Sequence, residues 1–206
     1  MNLTSQSFQP WQTLDPRLAF AEHDATTHVH LAGNRNPQLA WENVPAGTLS
    51  LALLCYDDDV PSQPTDVNQE DRSVPLWLER ARFFHWVLVD LAPTRNEIVE
   101  AAHSNGVVAR GKSAGASPDG GLMGINDYTS WFAGDEEMKG DYYGYDGPCP
   151  PWNDTRTHAY VFHLLALDVL TLGLSGKFTG DQVLEASAGH VLAEAKLAGL
   201  YRTNPA

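Results

Sequence analysis

The sequence predicts a mainly β protein, because three segments read as buried strands and few stretches show helical periodicity. The three segments are residues 49–56 (LSLALLCY), 83–91 (FFHWVLVDL) and 158–167 (HAYVFHLLAL). Each is almost wholly apolar, as expected of a strand that is covered on both faces. No internal repeat or linker divides the chain, so we expect one domain over residues 1–206.

Shorter strands and two helices complete the predicted elements. Residues 27–31 alternate weakly between polar and apolar, and residues 39–41 form a short apolar piece after the Asn36-Pro37 turn. Residues 95–102 suit a helix of two turns. A longer amphipathic helix is predicted near the C-terminus, with Thr179 or Asp181 as its cap and Gly199 at its end. Its residues at helical spacing are Val183, Leu184, Ser187, Val191, Leu192 and Ala195.

Two loops are unusually long for a compact domain. Residues 62–81 are polar and contain proline, and residues 112–154 are rich in glycine and aromatic residues. Long loops are usually functional or disordered, and disordered segments lack aromatic residues. We therefore expect the second loop to be functional.

Charge and composition exclude several classes of partner. The net charge of −13 makes nucleic acid and anionic membrane surfaces unfavourable partners. No apolar run is long enough for a membrane span, and the N-terminus has no signal-peptide pattern, so we expect a cytoplasmic protein. Cys55 and Cys149 are too few for a disulfide framework. Two reduced thiols are the simpler interpretation, and one bridge stays open.

The stretch GPCPPWNDTRTHAY, residues 147–160, joins a proline-rich loop to a buried strand. Residues two apart in a strand share a face, so His158 and Tyr160 point the same way at the mouth of this strand. They could face a ligand. They could equally be a core tyrosine and an edge histidine that the backbone satisfies.

Two further polar features lie on the other long strands. Asp57 and Asp59 follow the strand at 49–56, either as a solvated turn or with one carboxylate drawn inwards to a histidine or ligand. His85 interrupts an apolar strand and must be paired, because an unsatisfied buried polar group costs about 1–3 kcal/mol. Asp57 or Asp59 is one candidate partner, and a purely structural partner is the other.

Taken in order, these motifs resemble the phosphatidylethanolamine-binding protein family, which includes the Raf kinase inhibitor proteins. Residues 57–61 (DDDVP) resemble the family's Asp-Pro-Asp-Ala-Pro-like turn, and His85 its strand histidine. Residues 147–151 (GPCPP), followed by His158 and Tyr160, resemble its proline loop with His-x-Tyr. The segments GINDY and GHVLAEAKLAGLYR resemble its glycine loop and closing helix. The resemblance covers nearly the whole chain and is nearest to the bacterial branch.

The resemblance implies a two-sheet antiparallel β-sandwich with a Greek-key connection, plus peripheral helices that include a C-terminal one. It also implies a pocket that binds a small anion, such as phosphate, or a phospholipid headgroup. In this sequence the implied pocket residues are Asp57, Asp59, His85, Gly147, Pro148, His158 and Tyr160. An ionised Asp57 does not attract phosphate, so it is either protonated, or orients and charges His85, or meets a cationic group such as an ethanolamine ammonium; we favour the second role. The proline loop is expected to present its N–H groups to the anion.

A regulatory or inhibitor-like role follows from the same resemblance, with a kinase or protease as a conceivable protein partner. The alternative is a hydrolase or metal-dependent enzyme that uses the same Asp and His residues. No metal-binding or nucleophile motif supports that alternative, and no cofactor is implied. Two departures leave partner choice and a homodimer open: Asp58 replaces the common proline, and residues 62–82 form a longer segment than in many members.

Overall fold

The computed structural model describes residues 1–114 and 117–205, so residues 115 and 116 of the predicted loop at 112–154 lie outside the described part. The strands are β1 (Asn2–Thr4), β2 (Ala21–Asp24), β3 (His28–Leu31), β4 (Leu39–Glu42), β5 (Ser50–Pro61), β6 (Arg80–Leu91), β7 (Glu97–Ile98), β8 (Leu122–Met123), β9 (His158–Leu167) and β10 (Val191–Tyr201). The α-helices are α1 (Tyr128–Trp131) and α2 (Gly180–Ser187). No helix in the described ranges is both long and apolar enough to cross a membrane.

The three predicted apolar strands form the centre of a five-stranded sheet. Its order is β10-β9-β5-β6-β8, and every neighbouring pair is antiparallel. Cys55 in β5 lies opposite Trp86 in β6 and Phe162 in β9. The prediction of a mainly β, antiparallel protein is confirmed.

Both faces of this sheet are covered, which explains why its strands are continuously apolar. One face, with Leu51 and Leu53, shares a core with Leu39 and Trp41 of the three-stranded sheet β1-β4-β7. The other face packs against Val183 of α2 and the chain that leads into this helix. Side chains of alternate residues therefore enter different cores.

The predicted C-terminal helix is wrong beyond Ser187. Thr179 caps α2 in a capping box with Gln182, as its sequence suggests. The chain then turns at Gly189, whose φ is +84°, and continues as β10. Alanine, leucine, lysine and glutamate favour a helix here, but pairing with almost the whole length of β9 overrides this local preference.

Two other local predictions are also wrong. Residues 95–102 form no helix, because Glu97 and Ile98 pair with β4 as the short strand β7. Residues 57–61 are not a turn but the irregular end of β5, whose register with β6 shifts between Asp57 and Val60. Both thiols are free, with Cys55 buried and Cys149 partly exposed.

Candidate ligand-binding cleft

A cavity of about 1000 Å³ opens beside the end of the central sheet, and three of the predicted residues line it. Asp57, His85 and Tyr160 come from β5, β6 and β9, and each side chain is buried. Asp57 and Tyr160 are opposite each other in the sheet register. The rings of His85 and Tyr160 meet edge to face, with centroids 5.0 Å apart. Neighbouring strands thus bring these side chains to one polar floor.

The Tyr160 hydroxyl is available to a ligand. No residue in 1–114 or 117–205 forms a hydrogen bond with it. Burial, followed by the nearby Asp57 carboxylate, raises the pKa of Tyr160 well above its ordinary value. The phenol therefore keeps its proton and offers a hydrogen-bond donor to the cleft.

His85 is held as a neutral ring, contrary to the prediction that Asp57 orients and charges it. Its Nδ1 donates to the Asp146 carbonyl oxygen at 2.8 Å. Burial lowers the pKa of His85 to about 4, although Asp57 and the carbonyls of Asp146 and Gly147 oppose this shift. With the proton on Nδ1, Nε2 of the neutral ring is a hydrogen-bond acceptor.

Asp57 is instead paired with His158, which lies behind the cavity floor rather than on it. His158 Nδ1 is 2.6 Å from Asp57 Oδ2, and Nε2 is 3.2 Å from Asp154 Oδ2. Burial opposes a charge on His158, but hydrogen bonds to Asp154 and Asp57 raise its pKa to about 9. His158 is therefore an imidazolium near neutral pH, and its contribution to the cleft is electrostatic.

The other predicted pocket residues support the cleft without lining it. Asp59 accepts from Arg156 Nη1 at 2.9 Å and lies outside the cavity wall. The Gly147 N–H donates to Asn34 Oδ1 at 2.8 Å, and the Pro148 carbonyl accepts from the Phe20 N–H at 2.9 Å. The Gly147 N–H is thus already engaged, and a proline has none to offer. For these two residues the expected donation to an anion is wrong.

A buried polar cluster around Asp146 fixes the proline loop relative to His85. Asp146 Oδ1 accepts from Lys112 Nζ at 2.6 Å and from Asn34 at 2.8 Å, and Oδ2 accepts from Asn126 at 2.9 Å. Burial raises the pKa of Asp146 while Lys112 opposes the shift. The cluster holds the peptide whose carbonyl sets the His85 tautomer. The residue types alone gave no sign of it.

Above the polar floor the cleft is mostly apolar and aromatic. Tyr128 of α1 stacks on Phe20 and Phe132, with centroids 4.5 and 5.6 Å apart, and its hydroxyl donates to the Gly147 carbonyl at 2.8 Å. The predicted functional loop at 112–154 thus supplies much of this wall. Pro64 and Val67 of the segment 62–79, which connects β5 to β6, add another side. The sequence signal for the aromatic wall was its enrichment in aromatic residues.

His158 forms ion pairs with Asp57 and Asp154, and His85 bonds a backbone carbonyl, so these side chains are not arranged as a metal-binding cluster. Within the described ranges, no group of three or more His, Cys, Asp or Glu side chains is placed to hold a metal ion. His158 uses both ring nitrogens on carboxylates, which leaves it no lone pair to donate.

Comparisons with known proteins identify relatives over most of the chain. A model of the phosphatidylethanolamine-binding protein family matches residues 4–202. A UPF0098 protein from Methanothermobacter thermautotrophicus is 37% identical over 169 residues, which cover 82% of this chain and 83% of that protein. Escherichia coli YbhB, another UPF0098 protein, is 29% identical over 168 residues, with 82% of each chain covered.

Solved structures show the same fold. The crystal structure of E. coli YbcL, described as a new member of the mammalian PEBP family, superimposes with a TM-score of 0.69 at 24% identity. The match covers 98% of this chain and 97% of YbcL. CT736 from Chlamydia trachomatis has a TM-score of 0.61 and 26% identity, with 98% and 96% of the two chains covered.

Proposed function

The chain belongs to the phosphatidylethanolamine-binding protein family, and from this premise we propose that its cleft binds a small anion or a phospholipid headgroup. One observation carries the proposal: Asp57, His85 and Tyr160 converge from three strands on the floor of one cavity. The Tyr160 hydroxyl belongs to a residue that lines this cavity, and no residue in 1–114 or 117–205 bonds it, so it can donate to a ligand.

An anion is compatible with Asp57 because His158 compensates the charge of this carboxylate. The two groups form a buried ion pair at 2.6 Å. The Tyr160 hydroxyl then donates to a phosphate oxygen. An ammonium group of the headgroup type has two acceptors within the same floor, the Asp57 carboxylate and Nε2 of His85.

Binding is favoured over hydrolysis by the state of the nearest thiol. Cys149 lines the cleft, but burial raises its pKa to about 12. The thiolate, not the thiol, is the nucleophile, and the raised pKa keeps Cys149 in its thiol form near neutral pH. Tyr160 is held protonated for the same reason. We therefore infer a binding module with a regulatory or inhibitor-like role rather than a hydrolase.

Calorimetry with two probes tests this proposal. Inorganic phosphate and glycerophosphoethanolamine are titrated into wild-type protein and into the variants His85→Ala and Tyr160→Phe. Each variant loses one hydrogen-bonding group facing the ligand, so we expect at least about tenfold weaker binding. A stronger response to glycerophosphoethanolamine would assign the site to a headgroup, and equal responses would assign it to free phosphate.

Two matched variants separate the cleft from the rest of the fold. His190→Ala changes an exposed histidine, and Tyr56→Phe changes a buried tyrosine whose ring lies outside the cleft lining. Both should bind like the wild type. Unchanged affinity in His85→Ala and Tyr160→Phe would overturn the site assignment. Turnover of generic esterase or phosphatase substrates, lost in His85→Ala, would replace binding with hydrolysis.

The natural ligand and the regulatory role need separate experiments. Native mass spectrometry of protein purified from its own host should show a phosphate-containing adduct that His85→Ala lacks. A pull-down with the wild type and His85→Ala then tests whether the occupied cleft governs partner binding. Identical partners for the two proteins would contradict a regulatory role of the cleft.

A further inference from the structure

Asp154 lies one layer behind the cleft and connects it to two arginine residues. Its Oδ2 contacts His158 Nε2 at 3.2 Å and also pairs with the Arg80 guanidinium. Its Oδ1 accepts a hydrogen bond from the backbone N–H of Arg156 at 3.0 Å. The Asp154 side chain is completely buried. A buried carboxylate with this many charge-assisted contacts has a fixed position.

The network around Asp154 balances its charges. Its carboxylates and cations are Asp57, Asp59, Asp154, His158, Arg80 and Arg156. Burial opposes ionisation of Asp154, but hydrogen bonds from His158 and Arg80 lower its pKa to about 2. An imidazolium between two carboxylates therefore compensates Asp57 on the cleft side and Asp154 on the other.

We propose that Asp154 is a positioning residue for the anion site. It holds the His158 ring between two carboxylates, in the doubly protonated form that compensates Asp57, so that the floor of the cleft accepts an anion. This inference rests on the proposed function, because it concerns the same cleft. Asp154 acts through His158 and does not line the cavity itself.

The groups that face His158 come from several elements. Asp57 lies on β5 and Asp154 between the proline loop and β9, and both stabilise the imidazolium. His85 on β6 is near enough for the His158 charge to lower its pKa slightly, after the larger effect of burial. Tyr201 on β10 is the register partner of His158, and its hydroxyl donates to the Ala21 carbonyl at 3.1 Å. Among these four groups, Asp154 is the carboxylate on the side of the His158 ring that faces away from the cleft.

The variant Asp154→Asn tests the inference, because it keeps the shape and an acceptor oxygen but removes the charge. The probe is dimethyl phosphate, whose charge is the same at both pH values compared below, and its binding is followed by NMR. At about pH 6, Asp57 alone keeps His158 protonated, so affinity should stay within about twofold of the wild type. At about pH 8.5, the variant's His158 is neutral, and we expect about tenfold weaker binding than in the wild type.

In the same samples, the NMR signals of the histidine rings give the titration midpoint of His158. A merely structural role of Asp154 would leave this midpoint unchanged. The titration midpoint of His158 should fall in Asp154→Asn and return in Asp154→Glu. Arg80→Gln removes the competing cation from Asp154, so the midpoint of His158 should not fall. Asp168→Asn breaks another Asp–His pair, the one with His190, outside the cleft, and should change neither affinity nor midpoint.

The outcomes separate this inference from the proposed function. Equal loss of affinity at both pH values, or an unchanged His158 midpoint in Asp154→Asn, would overturn the positioning role. If wild-type protein fails to bind dimethyl phosphate, the proposed anion site fails, and the midpoints still decide whether Asp154 controls the protonation of His158. If Asp154→Asn does not fold, Arg80→Gln decides: a lower midpoint there contradicts the inference.

Discussion

Gly147 shows how a single residue can shape the cleft without lining it. A Cβ atom at this position would lie 2.1 Å from the Leu18 carbonyl oxygen and 3.0 Å from the Tyr145 hydroxyl. The Leu18 oxygen is backbone, so it cannot move aside as a flexible side chain would. The same residue donates its N–H to Asn34 and accepts from Tyr128. Glycine is therefore required because the proline loop packs directly on the chain at residue 18.

We expect Gly147→Ala to lower the free energy of unfolding by about 1–3 kcal/mol, the usual cost of forcing atoms into a filled space. Urea denaturation followed by fluorescence measures this change. Gly134→Ala is the matched control, since a Cβ there meets nothing within 4 Å and its φ is not positive. Equal stability of the two variants would show that the loop can move away from Leu18.

At the scale of elements, one side chain organises the segment between β5 and β6. Asn153 follows the proline loop, and its Oδ1 accepts from the Asn68 N–H at 2.9 Å. Its Nδ2 donates to the carbonyls of Asp66 and Arg72, each at 2.8 Å. A segment that reads as a polar loop is therefore tied to the wall of the cleft, where Val67 lines the cavity.

Asn153→Ala should release this segment while leaving the central sheet intact. The lost hydrogen bonds leave backbone groups unsatisfied, and we expect local opening to become easier by about 1–3 kcal/mol. Hydrogen exchange of the amides between Asp66 and Arg72 should accelerate, while those of β9 stay protected. Asn96→Ala, at an exposed position in another loop, is the control. Unchanged exchange in this segment would mean that other contacts hold it.

The elements that could be predicted are those whose local pattern agrees with their tertiary surroundings. The apolar strands β5, β6 and β9 are buried on both faces, so their sequence alone identifies them. β10 could not be predicted, because its alanine and leucine residues favour a helix and only pairing with β9 makes it a strand. Asp57, His85 and Tyr160 could be placed in one cleft from their motifs. The partner of His85 could not, because a backbone carbonyl has no sequence signature.

For the whole molecule, buried histidines connect the state of the cleft to the stability of the fold. His85 is kept neutral by burial, with a pKa of about 4, while His158 is kept charged, with a pKa of about 9. In the unfolded chain both return to an ordinary value near 6.5. Burial also lowers the pKa values of His103 and His163, while Asp119 and Glu194 respectively oppose the shift.

Because of these pKa shifts, the free energy of unfolding falls towards acid pH through His85 and falls towards alkaline pH through His158. Below the unfolded value, the unfolded chain binds a proton at His85 that the native protein refuses, so stability falls as the pH drops from 6.5 towards 4. His158 contributes its full stabilisation below 6.5, and this contribution is lost as the pH rises towards 9. His85 and His158 each contribute about 3 kcal/mol over the full range of their shifts. We therefore expect the free energy of unfolding to be greatest near the unfolded value of the histidines.

Urea denaturation at about pH 5, 6.5 and 8.5 measures how the free energy of unfolding depends on pH. Two variants show which histidine causes the fall on the acid side (the acid limb) and which causes the fall on the alkaline side (the alkaline limb). His85→Asn keeps a donor near the Nδ1 position but cannot titrate, so it should weaken the acid limb and leave the alkaline limb unchanged. His103 and His163 keep part of the acid limb in this variant, since their pKa values are lowered as well. Asp154→Asn should flatten the alkaline limb, because His158 then binds its proton less tightly. A wild-type stability that rises steadily through about pH 8.5 would contradict an imidazolium behind the cleft.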